Sequence, residues 1–108
     1  MLKPASDCPL TPCIKLLSGA WALEALYFLR TGPLHFGDLR RQLGKVSSKV
    51  LTTRLRALEE RGVIRRKVIP TNPPMVEYRL SKMGEELLPV LDAISEVSQT
   101  LREKYGAP

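Results

Sequence analysis

Ser47 to Gly62 reads S-S-K-V-L-T-T-R-L-R-A-L-E-E-R-G, and this stretch decides the fold. At about 100° per residue, Leu51, Leu55 and Leu58 stack into one apolar stripe of a helix. Lys49, Thr53 and Arg56 point roughly the opposite way, with Thr52 and Ser48 on the flank. A helix face that only meets solvent carries Glu and Lys; this one carries hydroxyls and cations. Gly62 closes the helix in the position just past the end that favours glycine.

Upstream, Phe36, Leu39 and Leu43 have helical spacing on a short helix that ends at Gly44. Only Lys45-Val46-Ser47 separates it from the next helix. Two helices joined by so tight a turn must cross steeply, as in a helix-turn-helix. Before them, Trp21 to Leu29 is an apolar helix stopped by Thr31-Gly32-Pro33, with Trp21, Leu23, Leu26, Tyr27 and Phe28 expected in the core. Leu10 to Leu17 reads as a short first helix, with Pro9 suited to its first turn and Gly19 to its end.

Downstream, Val63–Ile69 and Val76–Leu80 are rich in branched residues, and Val76, Tyr78 and Leu80 alternate with Glu77 and Arg79. Pro70-Thr71-Asn72-Pro73-Pro74 is the loop of the hairpin they form. Ser81 can cap a last long helix, with Glu85 and Glu86 in its first turn. Pro89 should kink that helix or split off its first turns. The expected fold class is therefore mainly α with a small β-hairpin: a winged helix-turn-helix with an extended C-terminal helix.

The 108 residues, 44% apolar and 26% charged, suit one globular domain with a modest core. Residues 1–20 form its N-terminal contact segment, 21–80 the winged-helix core and 81–108 the dimerisation helix. No apolar run approaches about 18 residues, and the first residues lack the order of a signal peptide, so a cytoplasmic protein without a membrane partner is expected. The net charge is +6. It is concentrated between Leu34 and Leu80, which hold eleven Lys or Arg against four Asp or Glu. Such a block is the footprint of a polyanion-binding surface, although a solvated basic face would look similar.

Double-stranded DNA is the polyanion that the helix suits. Ser47, Ser48, Thr52 and Thr53 can reach base edges or a thymine methyl, while Lys49 and Arg56 reach guanine or phosphate. Arg54 is expected on phosphate. Arg65-Arg66-Lys67 on the first hairpin strand either contacts DNA as a wing or guards an edge strand against aggregation. Arg40, Arg41 and Lys45 suit contacts to the DNA backbone. Leu87, Leu91, Ile94, Leu101 and Tyr105 run along the last helix as an apolar stripe, which implies a homodimer aided by the first helix. Such a dimer should read an inverted repeat with half-sites about one DNA turn, or a multiple of it, apart.

An enzyme is not expected. His35 is the only histidine, and no serine or cysteine nucleophile is spaced to use it. No glycine loop cradles a phosphate, so no cofactor is expected, and Cys8, Cys13 and His35 offer no metal-site spacing. Cys8, just before Pro9, has two readings: a thiolate favoured by the helix start, or a small hydrophobe packed at a subunit contact.

Several segments together are similar to the HxlR-type transcriptional regulators. They are Cys8-Pro9, Gly19-Ala20-Trp21, Phe36-Gly37-Asp38-Leu39-Arg40-Arg41, Ser48-Lys49-Val50-Leu51-Thr52-Thr53-Arg54-Leu55 and Leu58-Glu59-Glu60-Arg61-Gly62. Pro73-Pro74-Met75-Val76-Glu77-Tyr78-Arg79-Leu80 and Leu87-Leu88-Pro89-Val90-Leu91 complete the set. The resemblance implies a prokaryotic winged-helix regulator, a homodimer on operator DNA, often a repressor. It also implies a small-molecule or redox effector, since many members respond to oxidants or electrophiles through the cysteine that Cys8 matches. Ala20 stands where a lysine is common, Ser48 where a proline often precedes the lysine, and Cys13 has no counterpart. A non-specific architectural DNA binder and a winged-helix protein-interaction module remain the alternatives.

Overall fold

A computed structural model describes residues 8–106 and 108 of the chain. Helix α1 (Thr11–Leu17) has Pro12, rather than Pro9, in its first turn, where a missing N–H costs nothing. It is followed by α2 (Ala22–Leu29), a two-residue strand β1 (Leu34–His35) and α3 (Phe36–Leu43). Gly44 ends α3 with a φ of 85°, a left-handed conformation open to glycine without strain. After the short turn comes α4 (Ser48–Glu60), capped by Ser47, whose Oγ accepts the Val50 N–H at 3.1 Å.

The hairpin strands are β2 (Ile64–Ile69) and β3 (Met75–Leu80). The sheet has three strands rather than the two of a simple hairpin, in the antiparallel order β1-β3-β2. Leu34 pairs with Tyr78 and His35 with Glu77. A two-residue strand has too few positions to show alternation, so only the tertiary pairing reveals it.

Ser81 then joins three elements. Its hydroxyl donates to Gly62 O at 2.5 Å and accepts the Gly84 N–H at 3.1 Å, while its own N–H donates to Val63 O at 3.0 Å. The last helix is broken as Pro89 requires, into α5 (Lys82–Glu86) and α6 (Leu88–Tyr105), with Pro89 in the first turn of α6.

The core lies between α2, α3, α4 and the sheet. Leu51, Leu55 and Leu58 of α4 are fully buried, together with Ala22, Ala25, Leu26 and Leu29 of α2, Leu39, Val46 and Val63. Of the five α2 residues expected inside, Leu26 is buried, whereas Trp21, Leu23, Tyr27 and Phe28 are half-buried. Helix α2 is apolar on two faces: its alanine–leucine face packs on α3 and α4, and the larger side chains turn toward α6.

Candidate nucleic-acid interface

Burying the leucine stripe of α4 divides its remaining surface into an outer face and two flanks. Lys49, Thr53 and Arg56 are exposed on the outer side, with Ser47 and Ser48 at its N-terminal end. Thr53 Oγ1 donates to Lys49 O at 3.0 Å, so its hydroxyl hydrogen is engaged within the helix and its oxygen remains able to accept. Among the described residues neither Lys49 nor Arg56 has a carboxylate partner. Val50 is also exposed beside this face; sequence patterning passes over it, because an isolated valine on a polar surface gives no signal.

One flank faces the wing. Thr52, Arg56 and Glu59 line a cleft closed by Arg66, Pro74, Met75, Val76 and Tyr78 of the hairpin and by His35 to Gly37. The ladder explains why Arg66 alone of its run enters this cleft. It stands opposite Tyr78, on the sheet face that turns to the core, whereas Arg65 and Lys67 stand opposite Arg79 and Glu77 on the other face. The basic run is therefore split between the two faces of β2, which is an edge strand.

The other flank carries Arg54, expected on phosphate, which the fold also brings to a carbonyl of its own chain. Its Nε donates to Ala20 O at 2.8 Å, in the connection between α1 and α2. Arg40 is likewise engaged, donating through Nε to Val46 O at 3.1 Å and so bracing the turn between α3 and α4. Arg41 pairs with Asp38 one turn earlier, and Lys45 is exposed in the turn itself. His35 lies 3.9 Å from Asp38 and 4.0 Å from Glu77, a loose surface cluster.

Away from the wing cleft, α6 presents a graded stripe. Leu87 and Leu91, expected in the dimer contact, are 6% and 3% exposed and belong to the chain's own core. Ile94, Val97, Leu101 and Tyr105 are 42%, 57%, 42% and 77% exposed, so the open part of the stripe begins at Ile94. The difference arises because α6 runs beyond the core: its first turns pack on the chain and its later turns do not. Leu10 and Ile14 of α1 are exposed too, and Cys13 is half-buried in a groove they form with Leu17, Leu23, Val90 and Ile94. Leu23 and Ile94 also line the groove between α2 and α6, which makes the apolar surface continuous across α1, α2 and α6. Cys8 is exposed and lies two residues before Leu10, the cap of α1, so it stands outside the helix proper. Lys3, a nearby cation in sequence that could favour the Cys8 thiolate, falls outside the described residues.

Two crossed helices, a polar and cationic second helix turned outward, and a wing at its side define a winged helix-turn-helix of the DNA-binding regulator class. The chain belongs to the HxlR-like helix-turn-helix family, whose profile matches residues 16–105. It is 37% identical over 89 residues to an HTH-type transcriptional regulator of Methanothermobacter thermautotrophicus, covering 82% of this chain and 68% of that protein. Among solved structures, a transcriptional regulator of the MarR family from Porphyromonas gingivalis W83 superposes with a TM-score of 0.84 at 29% identity, over 92% of this chain and 97% of that one. The redox regulator HypR in its reduced form superposes with a TM-score of 0.82 at 29% identity, over 88% and 94% of the two chains. The protein is accordingly a winged-helix transcriptional regulator. No single helix among the described residues is long and apolar enough to cross a membrane.

Proposed function

We infer that this regulator is a homodimer that reads an inverted-repeat operator through α4 and acts as a repressor. The observation that carries this is the outer face of α4, where Lys49 and Arg56 stand exposed with no carboxylate partner among the described residues, beside the exposed Thr53. Unneutralised cations next to short hydroxyl side chains are what base edges and phosphates in a major groove require. Ser47, Ser48, Lys49, Thr52, Thr53 and Arg56 serve the groove. Arg66 adds a contact from the wing, and Arg41, Lys45, Arg65 and Lys67 approach the backbone, with Arg40 supporting the turn.

The division of labour follows the chain. Residues 21–80 read DNA, while 1–20 and 81–108 hold the two copies together through Leu10, Ile14, Ile94, Val97, Leu101 and Tyr105. A two-fold dimer places two α4 helices on one side of the assembly, which is why the operator is expected to be palindromic. Selection from a random DNA pool tests this. It should return a palindrome whose half-site centres lie about one helical turn, or a multiple of it, apart. Recovery of no common sequence would instead mark a non-specific architectural binder, and recovery of no DNA an interaction module.

A redox effector is a second element of the proposal, favoured by the exposure of the Cys8 thiol and by the likeness to HypR, a redox regulator. Oxidation joining Cys8 to a cysteine of the second copy, or an adduct on Cys8, would shift α1 at the dimer contact and alter the spacing of the two α4 helices. Repeating the selected-operator binding after diamide, with the native chain and Cys8→Ser, separates the two states. Equal binding in all four samples would reduce Cys8 to packing.

A further inference from the structure

Arg54 and Arg61 stand seven residues apart on α4 and its cap, which is two helical turns and so one flank. Both reach the connection between α1 and α2. Arg54 Nε donates to Ala20 O at 2.8 Å, and Arg61 Nη1 donates to Ser18 O at 2.8 Å and to Leu16 O at 3.3 Å. The carbonyls of Leu16 and Ser18 close α1, where the helix offers them no N–H of its own, so Arg61 supplies the missing donor.

The connection is shaped around these guanidinium groups. Gly19 adopts a φ of +107°, a conformation side chains rarely adopt, and the Arg54 guanidinium occupies the space that a Cβ there would take. Trp21 follows with a φ of 71°, a left-handed conformation uncommon for a bulky residue. Its carbonyl nevertheless accepts the Ala25 N–H at 3.0 Å and opens α2. Such a conformation persists where its surroundings impose it.

We propose that Arg54 and Arg61 are positioning residues that lock the recognition helix onto the α1–α2 junction and thereby set how accurately α4 reads DNA, without touching DNA themselves. This rests on the proposed DNA-reading role of α4. The guanidinium of Arg54 lies close against Gly19 while its Nε donates to one carbonyl; a lysine ammonium carries the same charge but neither the planar group nor that donor. Held on the protein's own carbonyls, the two guanidinium groups keep their charge but make no direct phosphate contact.

The test uses the full chain with Arg54→Lys, Arg54→Met and Arg61→Met, the duplex recovered by selection, and an unrelated duplex of equal length. Loss of a charge-assisted hydrogen bond should lower affinity for the selected duplex roughly tenfold in each variant, Arg54→Lys included, and change binding to the unrelated duplex little. The slope of affinity against salt should equal that of the native protein, because no phosphate contact is lost. A phosphate role would show the opposite: Arg54→Lys binding as the native chain does, Arg54→Met weakening both duplexes alike, and the slope falling by about one. That pattern overturns the proposal.

A second readout needs no DNA. Trp21 is the only tryptophan and sits in the clamped junction, so its emission and its quenching by acrylamide should change in all three variants and stay native in Lys45→Met. Unchanged Trp21 in folded variants overturns the clamp even if the native chain selects no DNA sequence, which would be a failure of the DNA-reading role alone.

Discussion

Thr53 and Arg56 show how little of a side chain is left for recognition once the helix has taken its share. Thr53 has given its proton to Lys49 O, so it can offer a base only an acceptor or the thymine-directed methyl group. Arg56, with no carboxylate partner among the described residues, keeps its donors for a ligand. Thr53→Ala should therefore relax preference at one operator position, and Arg56→Ala should cost roughly 1–3 kcal/mol on the selected sequence if its contact is bidentate to guanine. Competition binding against single-base operator variants measures both; specificity and affinity left intact in both variants would remove α4 from the groove. A second residue-scale constraint is Gly84, buried in α5, where a Cβ would collide with the Val63 carbonyl and press on Leu80. Gly84→Ala should cost about 1–3 kcal/mol of stability through overpacking, read by urea denaturation.

At the scale of elements, α4 depends on its N-terminal cap as well as on its leucines. Ser47→Ala removes the acceptor of the Val50 N–H and should destabilise the fold by about 1 kcal/mol. Since the cap also sets where α4 begins, operator affinity should fall by more than the stability loss alone accounts for, as a binding isotherm well below the melting temperature would show. The wing offers a sharper comparison. Arg66 shares the cleft with Thr52 and Arg56, while Arg65 and Lys67 occupy the other sheet face. Arg66→Ala should weaken binding more than Arg65→Ala, and equal losses would mean that the wing acts only through its net charge.

The whole molecule has two distinct exposed surfaces, the polar outer face of α4 and the apolar strip of α1, α2 and α6. Ile94, Val97, Leu101 and Tyr105 extend beyond the chain's own core, as expected of a helix that packs on its symmetry mate. Val97→Asp together with Leu101→Asp should give a monomer in analytical ultracentrifugation while leaving the winged-helix core folded. Its operator affinity should drop steeply because two half-sites are no longer held together. A native chain that sediments as a monomer at micromolar concentration would defeat the dimer.

Local pattern was enough for the winged helix-turn-helix: leucine spacing on α4, glycines at the ends of α3 and α4, strand alternation before Ser81 and the break at Pro89 are all carried by neighbours along the chain. The family was legible for the same reason, since its motifs are contiguous runs. What the linear order could not tell was where a side chain ends once distant segments meet. Helical periodicity places Arg54 on a polar flank, but only the approach of the α1–α2 connection, 34 residues earlier, gives its Nε the Ala20 carbonyl as a partner. Likewise Leu87 and Leu91 continue one stripe with Ile94 and Leu101 in sequence, and only the extent of the core divides the buried from the exposed. Strand β1 exists because β3 has a free edge to receive two residues. Periodicity depends on near neighbours and survives in the sequence; burial and hydrogen-bond partnership depend on which surfaces the folded chain brings together.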